Sequence, residues 1–253
     1  MGEDRQAVSG NDDDSHFPTS RYIFRPTMTP KQRAAEAALP FIQSGMVIGL
    51  GTGSTADFFL QALAAALKTG QLRDIAGVPT SRQSEHRAME LGIPLTTLLR
   101  SPVLDVTVDG ADEIAPNLDV IKGLGGALTR EKIVAQNSKQ LVIIADTSKT
   151  VTTLGTKSPL PVEVLPFAHE SHEPFIRSLG AEPTLRKVGG MIFNTDNGNL
   201  IYDCRFSQIE DPIGVERALR KRAGIVGTGL FLGLATSVLI ADERETIRRD
   251  RAT

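Results

Sequence analysis

The chain between Asp109 and Glu131 contains the side-chain types that acid–base chemistry requires. Two carboxylates, Asp109 and Asp112, follow the mostly apolar residues 106–108, Val-Thr-Val. Lys122 then precedes a glycine-rich run, and Glu131 adds a third acid. The apolar residues predict the end of a buried strand, so the two aspartates should lie at its carboxyl end, where ligands bind in open α/β sheets. A lysine beside carboxylates keeps them ionised and can stabilise a developing oxyanion.

Each of these acids also has an ordinary structural interpretation. Asp109 and Asp112 could brace a turn around Gly110, or hold Mg²⁺, although two carboxylates without further oxygen ligands make a poor site for a hard cation. Glu131 falls in the first turn of a predicted helix, where glutamates are common because the helix dipole favours them. The nearby Lys122 and its glycine run favour a chemical role for the aspartates. For Glu131, the residues alone favour the structural interpretation.

A second polar loop, Gly51-Thr52-Gly53-Ser54-Thr55, lies between a predicted strand and a predicted helix. Its backbone amides, its hydroxyls and the positive end of the helix dipole suit a phosphate monoester. The alternatives are a simple capped turn and a dinucleotide site, because Gly51, Gly53 and Ala56 loosely match the nicotinamide fingerprint. That fingerprint also needs an acid after the second strand, whereas residues 78–81 are Val-Pro-Thr-Ser. We therefore predict a simple phosphate site.

Composition excludes several classes of function. The chain has 253 residues, a formal net charge of -2 and only 5% aromatic residues, which does not favour binding to nucleic acid or to an anionic membrane. No apolar run reaches the length of a membrane span. The first twenty residues are acidic and lack the basic start and apolar block of a secretory signal, so we predict a cytoplasmic protein.

Cys204 is the single cysteine and is expected to be buried and inert. His169 and His172 have unsuitable spacing for a metal site and are expected in a surface loop.

The alternation of predicted strands and helices indicates an α/β fold with a mainly parallel, Rossmann-like sheet covered by helices on both faces. We predict a disordered extension at residues 1–20, a catalytic α/β domain at residues 21–155 with 227–253, and a smaller inserted α+β domain at residues 156–226. Thr29, Pro30 and Gln32 predict a capped helix start that carries Lys31. In the insert, Asn197-Gly198 between two alternating apolar runs predicts a β-hairpin that joins residues 191–195 to residues 200–206.

These segments make the sequence similar to the ribose-5-phosphate isomerase family of the A type. The resemblance covers residues 29–240 and is most specific at residues 108–113 (Val-Asp-Gly-Ala-Asp-Glu) and 127–132 (Ala-Leu-Thr-Arg-Glu-Lys). Residues 49–55, 121–123 and 145–149 also match. The resemblance implies a cytoplasmic homodimer or homotetramer that needs no metal or organic cofactor. It also implies interconversion of D-ribose 5-phosphate and D-ribulose 5-phosphate in the non-oxidative pentose phosphate pathway.

Carried over residue by residue, the resemblance makes Glu131 the base that moves a proton between C2 and C1 through an enediolate, with Asp109 and Lys122 as the other catalytic residues. The implied substrate contacts are Lys31, Thr52, Gly53, Ser54, Thr55, Asp109, Gly110, Ala111, Asp112, Lys122, Gly123, Leu124, Gly125 and Lys149. Leu124 departs from the family, which often has glycine there. Lys149, which follows a predicted strand, could also be an ordinary solvated lysine.

Two other functions remain open on the sequence. A related amino-sugar phosphate isomerase or deaminase would use similar residues. A non-catalytic sugar-phosphate sensor could use the same phosphate loop, but such modules usually carry a DNA-binding helix-turn-helix, for which the first twenty residues give no support.

Overall fold

The computed structural model describes residues 28–252, so the predicted extension at residues 1–20 lies outside the described residues. The helices are α1 (Pro30–Glu36), α2 (Ser54–Lys68), α3 (Arg82–Glu90), α4 (Leu128–Gln136), α5 (His172–Ser178) and α6 (Pro212–Arg220). Short 3₁₀ turns span Leu39–Phe41, Thr147–Lys149 and His169–Ser171. Between residues 28 and 252, no helix combines the length and the apolar character that crossing a membrane requires.

The strands, numbered along the chain, belong to one large sheet and three smaller ones. They are β1 (Val47–Leu50), β2 (Ala76–Pro79), β3 (Val106–Asp109), β4 (Glu113–Ile114), β5 (Val120–Ile121), β6 (Leu141–Asp146), β7 (Leu160–Val164), β8 (Glu182–Leu185), β9 (Lys187–Val188), β10 (Met191–Ile192), β11 (Leu200–Arg205), β12 (Ile225–Thr228), β13 (Leu230–Phe231), β14 (Ser237–Ala241) and β15 (Thr246–Asp250).

The large sheet has the order β15-β14-β6-β3-β1-β2. All its neighbouring strands are parallel except β14 and β15. Side chains of β6 alternate between two cores, as a strand buried on both faces requires. Val142 and Ile144 join the core that contains α1 and α2, whereas Ile143 packs in the opposite core with Ala135 of α4. Helices therefore cover both faces, which confirms the predicted fold class.

Local signals explain where the first helix begins and how it carries Lys31. Thr29 Oγ1 accepts a hydrogen bond from the Gln32 amide, and Gln32 Oε1 accepts one from the Thr29 amide, so the predicted capping box is present. Ala34 and Ala35 are fully buried against the large sheet. Burial of this alanine face holds α1 in place and leaves Lys31 at the carboxyl end of β1.

A second, four-stranded antiparallel sheet has the order β12-β7-β11-β8. It packs against α5 and α6 around a core that includes Val162, Tyr202 and Cys204. Cys204 is 1% exposed, as predicted, and its burial raises the pKa of the thiol. Strand β12 crosses the predicted boundary at residue 227 and pairs with β7, while β13 directly after it pairs with β5. The division into residues 21–155 with 227–253 and residues 156–226 as independent domains stays a prediction.

The predicted hairpin around Asn197-Gly198 is wrong. Strand β10 pairs with β9, and β11 pairs with β7 and β8. Residues 195–199 form a turn closed by the Thr195 amide and the Asn199 carbonyl oxygen at 2.8 Å. Buried Glu163 holds this turn through hydrogen bonds from Thr195 and Asn199. The sequence signal marked a turn correctly, but contacts far along the chain decided which strands pair.

Two further features differ from the sequence predictions. Strand β15, an edge strand with mostly exposed polar side chains, was missed because its charged sequence has no apolar alternation. The expectation of a surface loop at His169 and His172 is also wrong. His172 begins α5, is 3% exposed and accepts a hydrogen bond from Arg222. Pro174 falls in the first turn of α5, where backbone N–H groups have no partner within the helix, so the missing N–H of proline is tolerated.

Candidate active site

A cavity of about 120 Å³ lies where the loops after β1 and β3 meet the beginning of α4. Its lining residues are Lys31, Thr52, Gly53, Ser54, Thr55, Gly110, Ala111, Asp112, Lys122, Gly123, Gly125, Glu131 and Lys149. The structure thus brings together the predicted site residues except two, Asp109 and Leu124, which do not line the cavity. The cavity lies at the carboxyl ends of β1 and β3, and ligands of open α/β sheets bind at the carboxyl ends of the strands.

One end of the cavity carries groups that suit a phosphate. Gly53 precedes α2 with a φ of 104° and provides no side-chain cap, so the amides at this helix start face the cavity without competition from a capping side chain. Lys31 Nζ donates to Ser54 Oγ at 2.9 Å. Lys149 approaches from the 3₁₀ turn Thr147–Lys149, which Asp146 caps by accepting from the Ser148 amide at 2.9 Å. Lys31, Lys149 and the beginning of α2 therefore all line the same cavity.

Buried hydroxyl groups hold the loop of residues 51–55 against the sheet. Thr52 Oγ1 lies 2.7 Å from Thr80 Oγ1 and donates to Ser81 Oγ at 2.8 Å. The Thr52 amide donates to Asp109 Oδ1 at 3.0 Å. A side chain at Gly51 would collide with that same Asp109 oxygen, so glycine is required there. Sequence reasoning missed Thr80 and Ser81, although their place at the end of the neighbouring parallel strand was the available signal.

The other end of the cavity contains a buried lysine among acids. Lys122 is 3% exposed, and its Nζ lies 3.0 Å from Asp109 Oδ2 and 3.4 Å from Glu131 Oε2. It also donates to the carbonyl oxygen of Gly110 at 2.6 Å. Burial alone would lower the pKa of Lys122, but the negative charges of Asp109 and Glu131 outweigh it, so the pKa lies above its ordinary value. Lys122 is therefore an ammonium ion at neutral pH.

Glu131 occupies the first turn of α4, as predicted, but its side chain turns inward and is only 4% exposed. Its Oε2 atom is buried and accepts no hydrogen bond from the part of the chain that the structure describes. Burial raises the pKa of Glu131 to about 8, with further contributions from the charges of Asp109 and Asp112, while Lys122 opposes the shift. A carboxyl group with such a pKa can both accept and release a proton near neutral pH.

The two predicted residues outside the cavity have other contacts. Asp109 is 1% exposed and lies beneath the cavity floor, where the Thr52 and Gly110 amides and Lys122 occupy its oxygens. The side chain of Leu124 is 40% exposed to solvent. Its amide donates to Asp112 Oδ2 at 3.0 Å, so the residue contacts the site through its backbone. A leucine is compatible with this position because Leu124 does not line the cavity.

A larger cleft of about 470 Å³ between α2 and α3 shares Thr52, Gly53 and Ser54 with this site. Its charged groups are paired with one another, since Arg87 binds Asp57 at 2.6 Å and Glu90 at 3.1 Å. The smaller cavity, with its buried acid lacking a hydrogen bond, is the better candidate for chemistry.

The fold and the site together define an α/β enzyme that binds a small phosphorylated substrate and performs acid–base chemistry on it. The sequence model of a family described as Ribose 5-phosphate isomerase A (phosphoriboisomerase A) matches residues 76–245. A ribose-5-phosphate isomerase A from Roseiflexus castenholzii is 53% identical over 212 residues, which cover 83% of this chain and 91% of the relative. Another from Desulfatibacillum aliphaticivorans is 50% identical, with 83% and 92% covered.

Solved structures give the same result. Ribose 5-phosphate isomerase from Plasmodium falciparum is 39% identical, with a TM-score of 0.86 over 88% of this chain and 98% of that chain. A D-ribose-5-phosphate isomerase in complex with phospho-erythronic acid is 40% identical, with a TM-score of 0.85 over 87% and 97%. The chain belongs to the ribose 5-phosphate isomerase A family. The predicted family, its isomerase activity and its reaction, the interconversion of ribose 5-phosphate and ribulose 5-phosphate, are confirmed. The amino-sugar phosphate and sensor alternatives are not favoured.

Proposed function

We propose that the interconversion of D-ribose 5-phosphate and D-ribulose 5-phosphate proceeds by moving one proton between C2 and C1 through an enediolate, with Glu131 as the base. The observation that carries this proposal is the buried Glu131 carboxyl group. Glu131 lines the cavity, and its Oε2 atom accepts no hydrogen bond within residues 28–252, although the Lys122 ammonium lies 3.4 Å away. A carboxyl group that lines the cavity and is not saturated with hydrogen bonds can take up a substrate proton. One carboxylate can serve both carbons because they are neighbours in the chain of the sugar.

Lys122 balances the negative charge that develops on the enediolate oxygens. Its ammonium group is already held by Asp109 and Glu131, so no reorganisation is needed when the substrate acquires charge. Taking the C2 proton neutralises Glu131 at the moment the enediolate becomes negative. Lys122 therefore keeps a similar electrostatic environment throughout the reaction.

The two aspartates have different roles in this proposal. Asp112 lines the cavity and orders the sugar hydroxyls. Asp109 assists ring opening and the movement of the hydroxyl proton between O1 and O2. Since its own oxygens are bound to two backbone amides and to Lys122, it acts through that ammonium group. Its negative charge keeps Lys122 protonated and oriented.

The phosphate group is held at the opposite end by Lys31, Lys149 and the residues 52–55. This grip restricts the reacting carbons to the neighbourhood of Glu131, which converts binding energy into orientation. The other predicted contacts, Gly110, Ala111, Gly123 and Gly125, line the wall between the two ends. Leu124 contributes only its backbone.

A homodimer or homotetramer in the cytoplasm also belongs to this proposal and is supported by the resemblance to the family. Light scattering on purified protein measures the number of chains, and fractionation of cells measures the location. A monomeric, fully active protein would remove the oligomer from the proposal.

The test of the base is Glu131→Gln, assayed by ketose formation from ribose 5-phosphate. We expect kcat to fall by roughly 10²–10⁴-fold, because a positioned base contributes that much, while KM changes little. The matched control is Glu85→Gln, since Glu85 is also a first-turn glutamate but lies exposed on α3. A chelator added to the wild-type protein should leave the rate unchanged. Near-normal turnover by Glu131→Gln would reassign the base.

A further inference from the structure

One buried charged side chain outside the cavity touches the loop that follows Lys122. Arg186 lies just after β8 of the four-stranded sheet and is 9% exposed. Its Nη1 atom donates to the carbonyl oxygens of Gly123 and Leu124, each at 3.0 Å. Residues 123–126, the glycine loop, are thus held from outside by a residue more than sixty positions further along the chain.

Asp203 on β11 fixes the guanidinium of Arg186. Nε donates to Asp203 Oδ2 at 2.9 Å, and Nη2 pairs with Oδ1, so the ion pair is bidentate. A bidentate pair fixes both the position and the plane of the guanidinium. The two carbonyl groups of the glycine loop therefore meet a donor that is already oriented.

The packing around this contact supports the same arrangement. The Phe193 amide donates to the Arg186 carbonyl oxygen at 3.0 Å, so residues 186–193 close on themselves beside the loop. A side chain at Gly126 would collide with the Phe193 ring, which shows how closely this segment covers the loop. Arg186 also lies 5.8 Å from the centroid of that ring.

These contacts determine where the amides of the glycine loop point. The peptide between Gly123 and Leu124 is held at its oxygen by Arg186 and at its nitrogen by Asp112. The next peptide is held at the Leu124 oxygen. Because a trans peptide directs C=O and N–H to opposite sides, the Gly125 amide points away from Arg186. Gly125 itself lines the cavity.

We propose that Arg186 is a positioning residue for the isomerisation: anchored by Asp203, it holds the glycine loop so that Lys122 and the Gly125 amide face the substrate oxygens at C1 and C2. The inference rests on the proposed function and adds a residue that does not touch the substrate. Donors fixed before charge develops stabilise that charge without reorganisation. Loss of Arg186 should therefore affect the chemical step more than substrate binding, since the phosphate is held by other residues.

The experiment compares Arg186→Met with Arg205→Met. Arg205 lies on β11 and donates to the carbonyl oxygen of Lys157, an arginine–backbone contact away from the cavity. For Arg186→Met we expect kcat to fall about 10²-fold, as a small misplacement of reacting groups can cost, with KM within about threefold of wild type. Arg186→Lys, which keeps the charge but cannot form the fork, should recover only part of the rate. Arg205→Met should retain full turnover.

Asp203→Asn keeps the buried arginine and decides the outcome if Arg186→Met does not fold. Asp203→Asn should lower kcat and leave KM little changed. The kcat is calculated per folded molecule, with the folded fraction measured by circular dichroism. Full turnover per folded molecule in the Arg186→Lys and Asp203→Asn variants, or a change in KM alone, would overturn the proposal. Glu131→Gln in the same assay separates the base role of Glu131 from the positioning role of Arg186. An active Glu131→Gln variant contradicts the proposed base, independently of the result for the Arg186 variants. An inactive Glu131→Gln beside fully active Arg186 and Asp203 variants contradicts the positioning role alone.

Discussion

Replacing Glu131 with glutamine should make the folded protein more stable, and the gain should grow with pH. Glu131 is buried, and its pKa rises from an ordinary value of 4.5 to about 8 in the folded state. The folded protein therefore favours the neutral acid. The stability that the neutral carboxyl group of Glu131 contributes is fully present below the unfolded pKa of 4.5. It is lost as the pH rises through the folded pKa of about 8.

The size of the effect follows from the pKa values. Each unit of pKa difference corresponds to about 1.4 kcal/mol. The loss in wild-type stability from this group should be roughly 1 kcal/mol at about pH 5 and on the order of 4 kcal/mol at about pH 8. Glutamine has no charge to desolvate at any of these pH values. It leaves Lys122 paired with Asp109 at 3.0 Å.

Urea unfolding of both proteins in phosphate-free buffer, from about pH 5 to about pH 8, measures this difference. Any cost of the amide itself is independent of pH and cancels in the trend. Glu85→Gln, at an exposed first-turn position, should change stability little over the same range. A Glu131→Gln difference that stays flat or shrinks with rising pH would refute the reasoning, because it would show that the folded state does not disfavour the carboxylate.

Two further substitutions test the ends of the site. Lys31→Met should raise KM for ribose 5-phosphate by about tenfold or more, with a smaller change in kcat. The reason is that Lys31 lies beside Ser54, at the proposed phosphate end of the cavity. Steady-state kinetics at two salt concentrations measures this change in KM. An unchanged KM would remove Lys31 from the phosphate site. Leu124→Gly should leave kcat within about threefold of wild type, because the side chain is 40% exposed and the residue contacts Asp112 through its backbone. A large loss of turnover in that variant would assign the side chain a role that its position does not explain.

Much of the site could be predicted because its parts follow the ends of parallel strands. Thr52 follows β1 and Asp112 follows β3, and parallel strands bring their carboxyl ends to one edge of a sheet. The inward orientation of Glu131 could not be predicted from the residues alone, since a first-turn glutamate is usually exposed. Its proposed role came from the family resemblance, and the burial of the side chain is a physical reason that supports this proposal.

Other features depend on contacts that no local pattern contains. Arg186 reaches the glycine loop across more than sixty positions, and nothing in the sequence around it differs from an ordinary strand end. The failed hairpin has the same cause, since Glu163 holds the Asn197-Gly198 turn from a distant strand. Sequence reasoning predicted the turn because turn geometry is local. It could not predict the pairing because pairing is decided by tertiary contacts.

The cost of ionising Glu131 in the folded protein and the proposed reactivity of its side chain have one physical origin. Three carboxylates, those of Asp109, Asp112 and Glu131, lie close enough to Lys122 to affect its pKa, so a single positive charge cannot compensate all of them. Asp109 receives the shorter ion pair, at 3.0 Å, together with two backbone amides. Glu131 receives the longer one, at 3.4 Å, and its Oε2 has no hydrogen bond among the described residues. The acid left least satisfied is the one that gains most from taking a proton, which is the property a base between two neighbouring carbons requires.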